Sequence, residues 1–143
     1  MFSKTCEYAI RACIFIASET INGNRVSLPE VSKKIESPEA FTSKILQTLV
    51  KRKIIRSLKG PGGGFEIDKN IIENILLIDI VQSCDGNILQ RCSLGLHQCS
   101  DIHPCPFHHK YKPIKESLIK VFSETSLKEL IGGYEKGDTF LKF

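Results

Sequence analysis

Cys92, Cys99, Cys105 and His108 lie within seventeen residues, spaced C-x6-C-x5-C-x2-H. Thiolate sulfur and imidazole nitrogen are soft-to-borderline donors, and this density of them suits an iron–sulfur cluster or zinc. Residues 93–109 show neither a helical nor a strand period, so nothing in the pattern recruits these cysteines into a core. An iron–sulfur cluster takes deprotonated thiolates, usually with four ligands, and three cysteines supply three of those positions. A structural zinc site of Cys3His type, ending at His109 in the spacing C-x6-C-x5-C-x3-H, is a second reading and would suit an RNA- or protein-binding module. A third reading keeps the cysteines metal-free, as direct sensors of oxidants. His97 and His103 read as solvated loop residues.

The elements around this segment must fit in 143 residues, enough for one domain or a small domain with an appendage. Hydrophobic content of 41% and charged content of 25% are ordinary for a folded globular chain. No run approaches the roughly 20 apolar residues that cross a bilayer. The start of the sequence lacks a basic-then-apolar leader, so the expected compartment is the cytoplasm, where thiols stay reduced and clustered cysteines favour metal or redox chemistry. Charge is uneven. Residues 1–67 carry eleven Lys/Arg against six Asp/Glu, whereas residues 68–143 carry nine against ten. The basic front is the half expected to meet phosphate.

Cys6, Ala9, Ile10, Cys13 and Ala17 fall on one helical face within Thr5–Ser18, which ends at Asn22-Gly23-Asn24. Ser27, Pro29 and Glu30 form a capping-box start for a helix over Leu28–Ile35. Ser37-Pro38-Glu39 repeats the start signal for a helix through Val50, and a short turn between two such helices is a helix-turn-helix. Ile54–Leu58 and Phe65–Ile67 flank Gly60-Pro61-Gly62-Gly63-Gly64, the pattern of a β-hairpin. Together these predict a winged helix-turn-helix. Further helices are expected at Leu77–Cys84, from Pro106 or Pro113 to about Phe122, and at Leu127–Ile131 before Gly132-Gly133. Cys13 and Cys84 read as small core hydrophobes, as does Cys6.

Lys59-Gly60-Pro61-Gly62-Gly63-Gly64-Phe65, behind a helix-turn-helix and ahead of three cysteines, resembles the IscR/NsrR-like (Rrf-type) bacterial transcription regulators. Cys6–Arg11 and Ser126–Leu130 also resemble that family's first and last helices, so the resemblance spans about residues 1–134. It implies a mainly α fold with a β-hairpin wing and a long dimerisation helix, here about Pro106–Ser123. It also implies a homodimer on a pseudo-palindromic operator in double-stranded DNA, and a 2Fe–2S or 4Fe–4S cluster on Cys92, Cys99 and Cys105. The fourth ligand is then His108, or Glu7 of the partner's first helix. Without that role, Glu7 pairs on the surface with Arg11 at i+4. The C-x6-C spacing is one residue longer than the family's common form. The expected organisation is 1–84 for DNA binding, 85–105 for the cluster loop and 106–143 for the dimerisation and C-terminal helices.

On the second helix of the helix-turn-helix, Glu39, Thr42, Ser43, Lys44 and Gln47 are the polar positions expected to face the major groove. Gln47 suits adenine, and Lys44 suits guanine or phosphate. On the wing, Ser57, Lys59, Gly60, Gly62 and Gly63 offer a cation and backbone N–H groups to phosphates or the minor groove. Phe41 belongs to the core or to a thymine methyl. No P-loop, nucleotide fingerprint, nucleophile elbow or C-x-x-C is present, so no enzyme is expected. The function expected is transcription regulation, as a repressor sensing nitric oxide, redox state or iron–sulfur status.

Overall fold

A computed structural model describes residues 1–141. The chain runs α1 (Lys4–Ile21), α2 (Leu28–Ile35), α3 (Glu39–Lys51), β1 (Arg56–Leu58), β2 (Gly64–Glu66), α4 (Leu77–Asp85), a 3-10 turn (Ile88–Gln90), α5 (His108–Glu124) and α6 (Leu127–Glu135). This is the mainly helical architecture with a two-stranded wing that the sequence predicts. Among the described residues no helix is long and apolar enough to cross a membrane.

α1 is the centre of the molecule. Ser3 caps it by accepting the Cys6 N–H at 3.1 Å, and the Ser3 N–H donates to Asp85 Oδ2 at 2.9 Å, tying its start to the end of α4. Cys6, Ala9, Ala12, Cys13, Ile16 and Ala17 are fully buried, and the helix packs against α2, α3, α4, α6 and β2. α2 opens as the capping box expects: Ser27 Oγ accepts the Glu30 N–H, and the Glu30 carboxylate takes the Ser27 N–H at 2.6 Å.

α3 starts differently from its sequence signal. Ser37 is buried in the α2–α3 turn and caps nothing; its N–H donates to the Ser32 carbonyl, and Pro38 stands at the cap position. The Pro38 carbonyl accepts both the Thr42 N–H at 2.9 Å and the Thr42 hydroxyl at 3.0 Å. Thr42, Ile45, Leu46 and Leu49 form the buried face of α3.

The wing is a hairpin in the register Arg56↔Glu66, Ser57↔Phe65, Leu58↔Gly64. Its tip is a turn closed by Gly63 N–H to the Gly60 carbonyl at 2.9 Å, with Pro61 second and Gly62 third at φ 72°, the positive value a type II turn requires. Val26, between α1 and α2, adds a third strand position by exchanging two hydrogen bonds with Phe65, of 3.1 and 2.7 Å. The wing is therefore sewn to the helical body.

A smaller core of Cys6, Val81 and Leu89 gathers Phe2, Leu118, Ile119 and Phe122, and joins α5 to α4 and α1. α5 begins at His108 and carries Pro113 inside it. Leu118 and Phe122 turn inward onto this smaller core, whereas Ile114 and Val121 are 62% and 56% exposed. α6 continues through Gly132-Gly133 to Glu135 instead of stopping there, because Leu127, Ile131 and Tyr134 keep packing against the main core. Backbone hydrogen bonds from Leu77 to Thr125 (2.9 Å) and from Leu127 to Ile75 (2.8 Å) clip the entrance of α4 to the entrance of α6.

Candidate DNA interface and metal-binding loop

On α3, Lys44 and Gln47 are exposed, Ser43 is half-buried, and Gln47 Nε2 lies 3.3 Å from Ser43 Oγ. Thr42 is not among the outward groups. It is 0% exposed, because its hydroxyl serves the first turn of its own helix. Phe41 packs edge-on against Tyr8, with ring centroids 5.7 Å apart, and so belongs to the core margin. Ser57, Lys59, Gly60 and Gly62 are exposed along the wing and Gly63 is half-buried.

The cations divide into two sets. Arg25 donates to Glu66 at 2.7 Å and to the Gly62 carbonyl at 3.1 Å, and Arg56 reaches Glu66 at 3.2 Å and Asp68 at 3.5 Å. These arginines hold the wing in place. Lys44 and Lys59 have no ion pair among the described residues, which leaves their ammonium groups open to an external phosphate.

The cysteine loop spans the gap between the 3-10 turn and α5. Cys92 is buried where the loop leaves that turn; Cys99 and Cys105 are half-buried. The Leu94 backbone N–H holds the Cys92 thiol below its ordinary range, against the opposing effect of burial. The Leu96 N–H, the Cys105 thiol and the Lys115 ammonium act in the same lowering direction. Lys115 is itself buried and donates to the Gln90 carbonyl at 3.1 Å.

His108 is 3% exposed at the first position of α5. Its Nδ1 lies 3.5 Å from Cys99 Sγ and its Nε2 lies 2.8 Å from Asp101 Oδ1. Asp101 also accepts Lys112 Nζ at 2.8 Å on each oxygen, and Lys112 and then His108 hold its carboxyl down at about 2. Asp101 was not singled out by sequence reasoning. The available signal was an acidic residue between two cysteines and seven before the histidine. His97, His103 and His109 are exposed.

Glu7 has Lys4 as its partner at 2.7 Å, one turn before it, and not Arg11; its side chain is 41% exposed. The Lys4 hydrogen bond holds the Glu7 carboxyl below its usual range. Arg11 instead lies 4.5 Å over the Tyr8 ring.

The remaining thiols are chemically quiet. Burial pushes Cys6 up to about 12, and it pushes Cys13 and Cys84 up as well. A thiolate is the nucleophile, so at pH 8 Cys6 and Cys13 stay protonated and shielded. Maleimide labelling of the native, metal-free protein should therefore modify Cys99 and Cys105 and spare Cys6 and Cys13 until denaturant is added. Mass spectrometry of tryptic peptides reads this out; native labelling of Cys13 at the rate of Cys99 would contradict it.

A family model described as Rrf2, iron-dependent transcriptional regulator, matches residues 2–133. The chain belongs to the Rrf2 family. A "Putative HTH-type transcriptional regulator" of Aquifex aeolicus (strain VF5) is 34% identical over 140 residues, covering 95% of this chain and 94% of that protein. The transcriptional regulator IscR of Photorhabdus laumondii is 25% identical over 129 residues, covering 90% of this chain and 77% of that protein. In three dimensions the Rrf2 fold here matches CymR, the global cysteine regulator of B. subtilis, with a TM-score of 0.76 at 15% identity over 92% of this chain and 96% of that one.

The iron dependence in the Rrf2 description raises the question whether these donors suit an iron–sulfur group. In chemistry they do: three thiols, one already drawn towards thiolate by backbone N–H groups, and an imidazole whose second nitrogen is engaged by a carboxylate. In arrangement they stand as two pairs, Cys92 with Cys105 and Cys99 with His108. Among the described residues no three His, Cys, Asp or Glu side chains gather at a single point suited to one metal ion.

Proposed function

We propose that this Rrf2-family regulator is a homodimeric repressor that binds a pseudo-palindromic operator and carries an iron–sulfur cluster on Cys92, Cys99, Cys105 and His108. The observation that carries the ligand assignment is the buried His108 ring beside Cys99, with its outer nitrogen already occupied by Asp101. Glu7, exposed and paired with Lys4, is the weaker candidate for the fourth position. Donors in two pairs suit a 2Fe–2S group, in which each iron takes two protein ligands; a lone zinc takes four at one centre. When bound, the cluster supplies reactivity towards nitric oxide and oxidants and a dependence on iron supply.

The protein's own residues supply the rest. Residues 1–84 carry the DNA-reading elements, 85–105 the loop, and 106–143 the pairing helix and last helix. Cys92 marks the start of the loop and His108 its end, so holding both together fixes α5 against the 3-10 turn and α4. Ile114 and Val121 give α5 an apolar outer face for a second copy. The pairing of two α5 helices then sets the separation of two α3 helices, which must reach half-sites about 34 Å apart. The loop thereby biases operator affinity.

The test uses anaerobically purified protein and an operator selected from a random duplex library. Holo protein is expected to bind more tightly than apo protein; equal affinities would end the sensor reading and leave DNA binding standing. Lys44→Ala and Lys59→Ala should each lower the salt slope of binding by about one, and Gln47→Ala should relax preference at one base pair by about 1–3 kcal/mol. Thr42→Val should leave the salt slope unchanged, since Thr42 faces inward. A salt slope unaffected by either lysine variant would remove α3 and the wing from the interface.

A second reading, direct thiol sensing without a cluster, is favoured by the Cys105 thiol standing among the groups that lower the Cys92 thiol. Brown protein with iron and sulfide supports the first reading, colourless protein free of metal the second, and colourless zinc protein the structural Cys3His alternative.

A further inference from the structure

The side-chain network around His108 goes further than naming a ligand. His108, Lys112 and Glu116 follow one another at i, i+4 and i+8 on α5, so they share a helix face. Lys112 lies between two carboxylates, Asp101 at 2.8 Å and Glu116 at 3.8 Å. Asp101 in turn is fixed by its loop: Ser100 Oγ accepts the Ile102 and His103 N–H groups at 3.1 and 3.3 Å, which turns the chain directly after it. One oxygen of this carboxylate, Oδ1, accepts from both Lys112 Nζ and His108 Nε2. A carboxylate held by an ammonium can only accept, so Nε2 carries a proton, and a ring that ligates a metal then has its lone pair on Nδ1. That lone pair is on the side of Cys99 Sγ, 3.5 Å away.

We infer that Asp101, anchored by Lys112, is a positioning residue that makes Nδ1 the ligating nitrogen of His108 and strengthens it as a donor to the iron–sulfur cluster. The inference rests on the reading of His108 as the fourth ligand. A ligating imidazole that donates its other N–H to a carboxylate is fixed in tautomer and orientation and is more basic. A more basic ligand favours oxidised iron, so Asp101 lowers the reduction potential of the group it helps to hold and slows its loss. Lys112 keeps the carboxylate in place without touching the ring.

The test uses full-length protein purified anaerobically, in four forms: wild type, Asp101→Asn, Asp101→Ala and His108→Ala. Circular dichroism of each confirms that the helices are intact. Pulsed EPR of the reduced protein reads the histidine nitrogen coupling, spectroelectrochemistry reads the potential, and the decay of visible absorbance under chelator reads lability. Asparagine still accepts the Nε2–H but has lost the charge, so it should raise the potential while retaining the nitrogen coupling. Alanine should lose the group about ten- to a hundredfold faster than wild type.

His108→Ala should abolish the nitrogen coupling. If it does, and both Asp101 variants keep the wild-type potential and decay rate, the positioning role is overturned and the ligand reading survives. If His108→Ala leaves the spectrum of wild type, or if wild type holds no cluster, both the ligand reading and this inference fall.

Discussion

Alanine at Gly63 or Gly64 is expected to dismantle the wing and abolish tight DNA binding while leaving the helices folded. A Cβ on Gly63 would collide with the Leu58 carbonyl oxygen and lie 2.8 Å from that of Gly60. On Gly64 it would lie 2.7 Å from the Val26 oxygen and 3.1 Å from the Val26 carbonyl carbon, at a φ of 130° that side-chain-bearing residues rarely adopt. All these neighbours are backbone atoms and cannot swing aside. Relief must come from opening the hairpin or from separating Phe65 from Val26, which forfeits two hydrogen bonds at about 1 kcal/mol each, with backbone strain of about 1–3 kcal/mol besides. Val26 sits at the edge of the main core with Phe65 packed on it, but the contacts of α1 with α4 and α6 do not pass through this junction. Far-ultraviolet circular dichroism should therefore change little, whereas fluorescence anisotropy on the selected operator should show binding reduced to the non-specific level. Arg25→Ala is the graded companion. It removes exposed ion-pair contacts worth about 0–1 kcal/mol and should weaken binding modestly. A Gly64→Ala protein with wild-type affinity would show that the junction of the wing and Val26 has no part in DNA binding.

The second large effect concerns the thiols. Serine in place of Cys92, Cys99 or Cys105 should leave the protein unable to retain an iron–sulfur group, because a hydroxyl is a hard and weakly acidic donor where a soft thiolate is needed. Visible absorbance and bound sulfide should fall to background for the proposed cluster form. The thermal midpoint of the apo protein should hold for Cys99→Ser and Cys105→Ser, since both side chains are half-exposed in the loop. Cys13→Ser should do the reverse. Its side chain is fully buried among apolar neighbours, so a hydroxyl there lacks a partner and costs about 1–3 kcal/mol, lowering the midpoint while the absorbance per folded molecule persists. Loss of absorbance in Cys13→Ser with retention in Cys105→Ser would invert the assignment of roles.

What the sequence revealed followed short-range physics. The apolar stripe of α1, the Ser27–Glu30 capping box and the glycine turn of the wing depend on neighbours a few residues away, and they read correctly. Thr42 misread because a hydroxyl that bonds its own i−4 carbonyl looks, in sequence, like a hydroxyl facing solvent. α6 misread because Gly132-Gly133 is a stop signal that the packing of Ile131 and Tyr134 overrides. Glu7 had two cations within one helical turn, and period alone could not choose Lys4 over Arg11. The third strand position at Val26 and the carboxylate on His108 are contacts between distant or irregular segments, for which no periodic signal exists.

The clip between residues 75–77 and 125–127 brings two distant points of the chain together. It closes α4, the cysteine loop and α5 into a ring of roughly fifty residues whose two ends meet at one spot, while α4 also packs on α1 and α3. With its ends already tied, the stretch between Gln90 and His108 can change in length without moving α2, α3 or the wing, whose chain never passes through it. A graft of the whole ring between two such regulators must match the seam at 75–77 and 125–127 and also the faces that α4 sets against α1 and α3, whereas a graft of the cysteine loop alone need match neither.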